Sequence, residues 1–230
     1  MTTISLVAYL DVYGFSALVA QATSTRHADA STKISDIEIR LGDCFEQINE
    51  NSQSLKFDFF GISDCVFLVR DLDLSSHSTA IKSLSAAKDA IRLALAVFAS
   101  RGFDVRGGVA IGKVTRTGTN ILLGDPVIRA VRIEGSFRAP LVCLPVAELS
   151  KVSDLQRNAV DTVFCEPTVI VKTTSAGRTR AHVFPPHGAA ALGADYRVKL
   201  EQYYCEGPPN VALGYEEALE ILDQLKPDNT

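Results

Sequence analysis

Two aspartates at the ends of apolar segments are the residues of this chain best placed for chemistry. Asp11 follows the apolar run Val7–Leu10 and precedes a glycine-containing turn. Asp64 lies in the turn Gly61-Ile62-Ser63-Asp64, between two further apolar segments. A carboxylate at the end of a buried strand must be paired, metal-bound or fully hydrogen-bonded, because an unpaired buried charge costs several kcal/mol or more. No cation lies beside Asp11 in the sequence, so a metal ion is a candidate partner.

The turn after Asp11 adds a possible anion site. Tyr13, Gly14, Phe15 and Ser16 open a helical pattern, and free backbone amides at a helix N-terminus favour anions. Two carboxylates holding oxygen-ligated divalent ions that also bind a triphosphate form a two-metal site for in-line displacement. Taken singly, each aspartate also has a structural explanation, as a helix N-cap or as a turn residue.

The elements predicted around these residues would bring the two carboxylates together. Apolar periodicity predicts a strand, two helices, a hairpin, a helix and a strand, at residues 4–11, 14–22, 32–50, 55–70, 81–98 and 105–114. This order is the βαββαβ plan, in which the first strand lies beside the central hairpin. We therefore predict an α+β fold: a ferredoxin-like βαββαβ core with a central antiparallel sheet, helices packed on one face and a C-terminal extension.

The second half of the chain completes the predicted domain. A helix begins near Gly124 and carries Arg129, which we expect to be a solvated charge. A short strand, a short helix and a closing hairpin follow, at 141–144, 145–150 and 160–184. We place one domain over 1–185 and an extension over 186–230, whose short helix, at 215–225, packs on the same domain.

Composition narrows the class of protein. Among 230 residues, 47% are hydrophobic and 22% charged, with a net charge of −4 and no polybasic cluster, which argues against a nucleic-acid partner. The five cysteines are odd in number and lack metal-binding spacing, as expected in a reducing cytoplasm. The N-terminus does not resemble a signal peptide and no apolar run approaches a membrane span. We expect a cytoplasmic protein with no membrane partner.

Four segments, in unbroken order, carry a resemblance to class III nucleotidyl cyclases. The first-strand motif Asp-Ile-X-Gly-Phe-Thr and the hairpin Gly-Asp match Asp11-Val12-Tyr13-Gly14-Phe15-Ser16 and Ser63-Asp64. The Arg-X-Gly-X-X-X-Gly strand and the Gly-X-X-Val-Asn-X-Ala-X-Arg-hydrophobic-Glu helix match Arg106–Gly112 and Gly124–Glu134. The match spans about residues 5–145.

The resemblance implies a mechanism and a set of ligands. Asp11, the Val12 carbonyl and Asp64 would hold two Mg²⁺ or Mn²⁺ ions per site. The amides of Tyr13, Gly14, Phe15 and Ser16 would cradle the β- and γ-phosphates, with Arg106 as a further phosphate ligand. Arg132 would reach the α-phosphate from the second subunit of a head-to-tail homodimer with shared active sites. The ribose 3′-hydroxyl would attack that phosphate and expel pyrophosphate.

Three nucleotide-binding positions depart from the family's pattern, two where the purine is read and one where the ribose or the transition state is contacted. Phe60 and Ile121 stand where adenylyl cyclases have Lys and Asp and guanylyl cyclases have Glu and usually Cys. Ile128 replaces the usual helix Asn. The chain is therefore similar to the pyrimidine cyclases of Pycsar anti-phage systems, which implies UTP, then CTP, as substrate. The cyclic product would activate a separate effector, a TIR or membrane protein.

Other functions are compatible with parts of this pattern. The chain could be a purine cyclase, or a catalytically inactive, cyclase-like regulatory binding module. The missing helix Asn favours the inactive module, whereas the presence of Asp11, Asp64, Arg106 and Arg132 favours the enzyme. A phosphoacceptor domain built on Asp11 lacks the acidic pair before the strand and the later Lys that it would need.

Overall fold

The computed structural model describes residues 2–24, 27–117, 121–166, 168–173, 177–184, 201, 205 and 209–225. Strands and helices are interspersed along the chain. Their order is β1 (Thr2–Val12), α1 (Phe15–Thr23), α2 (His27–Leu55), β2 (Asp58–Ile62), β3 (Cys65–Asp71), α3 (His77–Ser100), β4 (Val105–Thr117), β5 (Ile121–Leu123), α4 (Asp125–Glu134), β6 (Val142–Pro145), α5 (Val146–Val163), β7 (Val169–Thr173), β8 (Gly177–Phe184) and α6 (Pro209–Gln224).

One mixed sheet contains all the described strands. Its order is β2-β3-β1-β4-β6-β8-β7, with β5 paired to β4. Neighbouring strands are antiparallel except β4 and β6, which are parallel. Strand β1 is central, between β3 and β4. The predicted α+β fold with a central, mainly antiparallel sheet is confirmed.

The two faces of the sheet have different coverings because side chains alternate along each strand. Leu6, Ala8 and Leu10 of β1 belong to the main core, which is formed with α1, α2, α3 and α5. Val7 faces the other way, into a small cluster with Ala130 of α4. The long helices thus share one face, as predicted, and α4 and α6 pack on the opposite face.

A close approach between β4 and α4 explains one glycine of the predicted strand. A Cβ at Gly108 would lie 2.1 Å from the Ala130 carbonyl oxygen and 2.7 Å from the Glu134 nitrogen. Any larger residue would push α4 away from the sheet. This glycine therefore serves a contact within the chain and fixes where the side chains of α4 point.

The region after β6 differs from the sequence prediction. The short helix expected at 145–150 continues to Val163, and the strand expected from 160 begins at Val169. Leu149, Val152 and Val160 are buried in the helix-side core. Non-helical backbone at Gln156 interrupts the periodicity that would have indicated one long helix.

The C-terminal helix packs on the sheet. Helix α6 begins at Pro209, earlier than the predicted 215, and buries Tyr215, Ala218 and Ile221 against a cluster that includes Val171 of β7. Positions 186–200 of the predicted extension lie outside the described residues, and the boundary near 185 stays a prediction. None of the helices in the described ranges is long and apolar enough to cross a membrane.

Candidate active site

Backbone pairing brings the two predicted carboxylates to the same corner of the sheet. In the β1–β3 ladder Asp11 is opposite Cys65, the residue directly after Asp64. The Val12 amide donates to the Asp64 carbonyl at 3.1 Å. Ser63, with a φ of 57°, completes the two-residue turn between β2 and β3. Asp11, Val12 and Asp64 are therefore neighbours, as the hairpin topology predicted.

The turn after β1 presents a helix N-terminus to this corner. Gly14 adopts the left-handed conformation, with a φ of 74°, and is the N-cap of α1, without a side-chain cap among the described residues. The Tyr13 amide, part of the predicted phosphate cradle, donates to the Asp104 carbonyl at 2.8 Å. The amides of Gly14, Phe15 and Ser16 thus form the candidate anion site.

Arg106 lies inside the corner and is held by two carboxylates. It is opposite Asp11 in the β1–β4 ladder, and its Nε and Nη2 both lie 3.3 Å from Asp11 Oδ2. Its Nε also forms an ion pair with Glu134 Oε1. The guanidinium carbon is 5.9 Å from the centre of the Tyr13 ring. The predicted phosphate ligand is therefore close to the candidate anion site.

The electrostatics of the corner are dominated by negative charge. Burial raises the pKa of Asp11. The neighbouring Arg106 lowers this pKa and the nearby Asp64 raises it, and the net shift is upward. Burial likewise raises the pKa of Glu134, whose side chain is 8% exposed, against the lowering effect of Arg106. Three acidic groups thus lie near one guanidinium, so a cation would be stabilised here.

The donor atoms suit a hard divalent cation. Two carboxylates, from Asp11 and Asp64, and the Val12 carbonyl are the oxygen ligands that Mg²⁺ or Mn²⁺ prefers. Asp64 contributes to the raised pKa of Asp11, so the two acids are close enough to repel each other. Within the described ranges no group of three or more His, Cys, Asp or Glu side chains is arranged for metal binding.

An aromatic row lies beside the corner, on the sheet face that carries α4. Tyr9, Phe67 and Phe60 are successive partners across β1, β3 and β2, and the Tyr9 and Phe67 ring centres are 4.9 Å apart. Phe60 is half-buried and packs on the small cluster around Val7. Ile121, the second predicted base-reading residue, has its backbone in β5, but its side chain lies outside the described part of the structure.

Two predicted residues of α4 lie on its exposed side. Arg132 and Ile128 are exposed, Ile128 by 54%, whereas Ala130 and Glu134 of the same helix are buried. Arg132 lines a cavity of about 370 Å³ between α4 and strands β6–β8. Its apolar lining includes Ile133, Phe137, Cys143, Val171 and Ala181. Within the described contacts of this chain, Asp11 pairs with Arg106, and no hydrogen bond or ion pair joins it to Arg132.

Arg129 is not a solvated charge, contrary to expectation. Its Nε lies 3.0 Å from Glu148 Oε1, and it also pairs with Asp125. Its Nη2 donates to the Ile111 carbonyl at 2.6 Å. Glu148 comes from α5 and is buried, so these bonds tie α4 to β4 and α5. Arg129 fixes the helix that presents Arg132.

Two further residues of the corner were not predicted. Glu134 ends the helix motif, but an acidic residue in a last helical turn ordinarily indicates a solvated position. Tyr215 donates to Asp104 Oδ2 at 2.9 Å, although more than a hundred residues separate the two. The sequence signals available for them were the motif position of Glu134 and the helical pattern around Tyr215.

Comparison with known proteins identifies the fold. No protein-family profile matches the chain, and no curated protein matches its sequence. The solved guanylate cyclase domain of RhGC from Catenaria anguillulae, in complex with GTP, superposes with a TM-score of 0.55 at 13% identity, covering 80% of this chain and 98% of that one. The chain has the fold of a nucleotidyl cyclase catalytic domain.

Two other solved structures agree. A non-canonical dimeric guanylyl cyclase domain of the RhoGC fusion protein from the aquatic fungus Blastocladiella emersonii has a TM-score of 0.55 at 14% identity, covering 80% of this chain and 97% of that one. The catalytic core of a rhodopsin-guanylyl cyclase with converted specificity, in complex with ATPαS, has a TM-score of 0.54 at 12% identity, covering 80% and 96%. At these identities the likeness concerns the cyclase fold.

Proposed function

We propose that this protein is a divalent-metal-dependent nucleotidyl cyclase that acts as a homodimer on a pyrimidine nucleoside triphosphate. The observation that most supports the proposal is that Asp11 and Asp64 lie next to each other, beside the N-terminus of α1. Oxygen ligands for metal ions and amides for phosphate thus lie at one corner of a cyclase fold.

The chain's own residues would bind and orient the substrate. The amides of Gly14, Phe15 and Ser16 would receive the terminal phosphates, and Arg106 would turn from Asp11 towards them. When bound, divalent ions lower the pKa of an attacking hydroxyl and offset triphosphate charge. The ribose 3′-oxygen forms a bond to the α-phosphorus, the bond to the pyrophosphate oxygen breaks, and the hydroxyl proton leaves to solvent.

A second copy of the chain would supply Arg132. The assignment is supported by the exposure of Arg132 on α4, where a second chain could contact it, whereas its neighbour Glu134 is buried within its own chain. A guanylyl cyclase domain with this fold has been solved as a non-canonical dimer, so the head-to-tail arrangement proposed here rests on the sequence resemblance. In a head-to-tail dimer each α4 would face the partner's metal corner, and Arg132 would stabilise the charge that grows on the α-phosphate.

The preference for a pyrimidine rests on the residues that replace the purine-reading pair. Phe60 and Ile121 cannot hydrogen-bond a purine edge, and each group left unpaired in a buried site costs roughly 1–3 kcal/mol. Phe60 stands in the aromatic row with Phe67 and Tyr9, where a base can stack. We rank UTP ahead of CTP and place the cyclic product in anti-phage signalling, upstream of a separate TIR or membrane effector.

The test is product analysis with ATP, GTP, UTP and CTP at equal concentrations of Mn²⁺. We expect cyclic UMP or cyclic CMP with pyrophosphate, and at least about tenfold less product from the purine nucleotides. Cyclic AMP or cyclic GMP as the main product would overturn the pyrimidine assignment and leave a purine cyclase. Formation of no cyclic product from any nucleotide would overturn the activity itself.

An inactive nucleotide-binding module is the second candidate. The pairing of Arg106 with Asp11 favours it, because two groups assigned to ligands hold each other. Such a module would bind a nucleoside triphosphate with Mn²⁺ and release no pyrophosphate. Binding by calorimetry alongside the product analysis separates the module from the enzyme.

A further inference from the structure

Helix α6 contacts the candidate phosphate-binding turn directly. The Tyr13 hydroxyl donates to the Val211 carbonyl at 2.8 Å, although 198 residues separate the two. The Tyr13 ring packs edge-on against the Tyr215 ring, with centres 5.4 Å apart and planes at 88°. A Cβ at Gly14 would meet the Val211 side chain at 3.7 Å. The first turns of α6 therefore lie against the residues that precede α1.

A second link holds the same turn from its other side. The Tyr215 hydroxyl donates to Asp104 Oδ2 at 2.9 Å, and the Asp104 carbonyl accepts the Tyr13 amide at 2.8 Å. Tyr215 is 5% exposed and Asp104 is 6% exposed, so both bonds are shielded from water. Tyr13 is fixed by its backbone through Asp104 and by its side chain through α6.

The rest of α6 is anchored to the sheet and to the segment after α4. Ala218, Ile221 and Leu222 are buried in the cluster that includes Val171. The Arg138 amide donates to Glu217 Oε2 at 2.9 Å. The helix is thus attached independently of the turn, and it can serve as a fixed support for it.

We infer that α6 positions the phosphate-binding turn and that Tyr215 is a positioning residue for triphosphate binding. The inference rests on the proposed function for its ligand, a triphosphate with a divalent ion. Three consecutive amides bind a phosphate well only when their directions are set in advance, because ordering them on binding subtracts from affinity. Loosening α6 should weaken triphosphate binding while the core stays folded.

A glycine on α6 provides a sharp perturbation. A Cβ at Gly214 would lie 1.9 Å from the Tyr13 hydroxyl oxygen and 2.4 Å from the Arg138 carbonyl oxygen, so Gly214→Ala must shift α6, or the Tyr13 side chain and the backbone at Arg138, and in either case disturbs the contact between α6 and the turn. Alanine is also the better helix former, so α6 itself should not unravel. Gly42→Ala in α2 is the matched control, because nothing lies within 4 Å of its Cβ position. Tyr215→Phe removes the hydroxyl alone.

Two measurements test the inference, and the first of them is independent of the proposed function. Hydrogen–deuterium exchange of the segment from Asp11 to Leu18 should be faster in Gly214→Ala and in Tyr215→Phe than in the wild type and Gly42→Ala. Calorimetry with inorganic triphosphate and Mn²⁺ should show binding weakened about tenfold in the two α6 variants. The thermal midpoint of Tyr215→Phe should fall by only a few degrees, because one buried hydrogen bond is lost while the core stays intact.

The outcomes separate this inference from the proposed function. Unchanged exchange in both α6 variants would overturn the positioning role, whatever the activity. Stronger triphosphate binding in these variants would also overturn it, because α6 would then obstruct the site. A wild type that binds no triphosphate but shows the expected exchange pattern would remove the proposed function and leave the structural support of the turn by α6 intact.

Discussion

Arg106, a predicted phosphate ligand, and Asp11, a predicted metal ligand, are bound to each other: the Arg106 Nε and Nη2 atoms each lie 3.3 Å from Asp11 Oδ2. Glu134 of α4 holds the same guanidinium from the other side. One arginine thus lies between two of the three acids of this corner. Substrate and metal would have to replace this pairing.

The first prediction concerns the stability of that corner. Arg106→Ala leaves Asp11 and Glu134 without their shared cation, so we expect the free energy of unfolding to fall by about 1–3 kcal/mol. Asp11→Asn removes a repelling charge and should change it by less than about 1 kcal/mol. Urea unfolding measures both. The control is Arg101→Ala, which breaks an exposed pair with Asp43. A larger loss in Asp11→Asn than in Arg106→Ala would contradict this electrostatic account.

The second prediction is a pH dependence at the joint between α4 and α5. Burial raises the pKa of Glu148, but hydrogen bonds from the Ile111 amide, Lys151 and Arg129 outweigh it and bring the net pKa below 4.5. A carboxyl with a lowered folded-state pKa stabilises the fold above its unfolded-state pKa, and that stabilisation is lost as the pH falls through the folded-state value.

The measurement is the free energy of unfolding of the wild type and Glu148→Gln at about pH 7 and about pH 3. We expect the wild type to be more stable at the higher pH and the difference to shrink at the lower one. Glu38→Gln, on the exposed side of α2, is the matched control. A difference that is constant across this range would show that the charge of Glu148 does not matter.

Sequence reasoning predicted the centre of the site because the information is local. Asp11 ends an apolar strand and Asp64 occupies a two-residue hairpin turn, so the topology alone makes them neighbours. It failed for Arg129, whose partner Glu148 comes from another helix. Burial of a charged pair depends on tertiary contacts that hydrophobic periodicity does not register.

The support of the turn by α6 was out of reach for the same reason. Tyr13 and Val211 are nearly a whole chain apart, and their bond runs from a side chain to a carbonyl, which no motif records. The extent of α5 was missed because the break at Gln156 divides its apolar pattern. Local patterns predicted most of the elements, and long-range polar contacts came only from the structure.

The third prediction tests the shared active site. Asp64→Ala and Arg132→Ala should each be inactive, and mixing them should restore up to about a quarter of the wild-type activity, since half of the dimers are mixed and each has one intact site. Pyrophosphate release after verified subunit exchange is the measurement.

A matched mixture provides the control for this experiment. A mixture of Asp64→Ala with Asp11→Ala should stay inactive, because each site takes both of these metal ligands from one chain and every site therefore lacks one of them. Recovery in this control mixture, or none in the first, would contradict the head-to-tail arrangement.

The fourth prediction concerns the base. Phe60→Leu removes one ring from the aromatic row on the sheet face that carries α4, where we propose that the base stacks. The smaller side chain should raise the ratio of purine to pyrimidine turnover, measured as kcat/KM for ATP over that for UTP. Phe59→Leu is the control, because Phe59 faces the main core, with its ring centre 5.8 Å from that of Phe45. It should lower stability and leave the ratio unchanged. An equal change of the ratio in both variants would remove Phe60 from base selection.

The most direct test of the central claim, that Asp11 and Asp64 form the metal corner of a cyclase, is Mn²⁺-dependent pyrophosphate release by the wild type, Asp11→Asn and Asp64→Asn. We expect a cyclic nucleotide from the wild type only when the metal is present. We expect at least about a hundredfold loss of activity in each variant, with thermal midpoints close to that of the wild type. Product formation that persists in either variant, or that needs no divalent ion in the wild type, would contradict it.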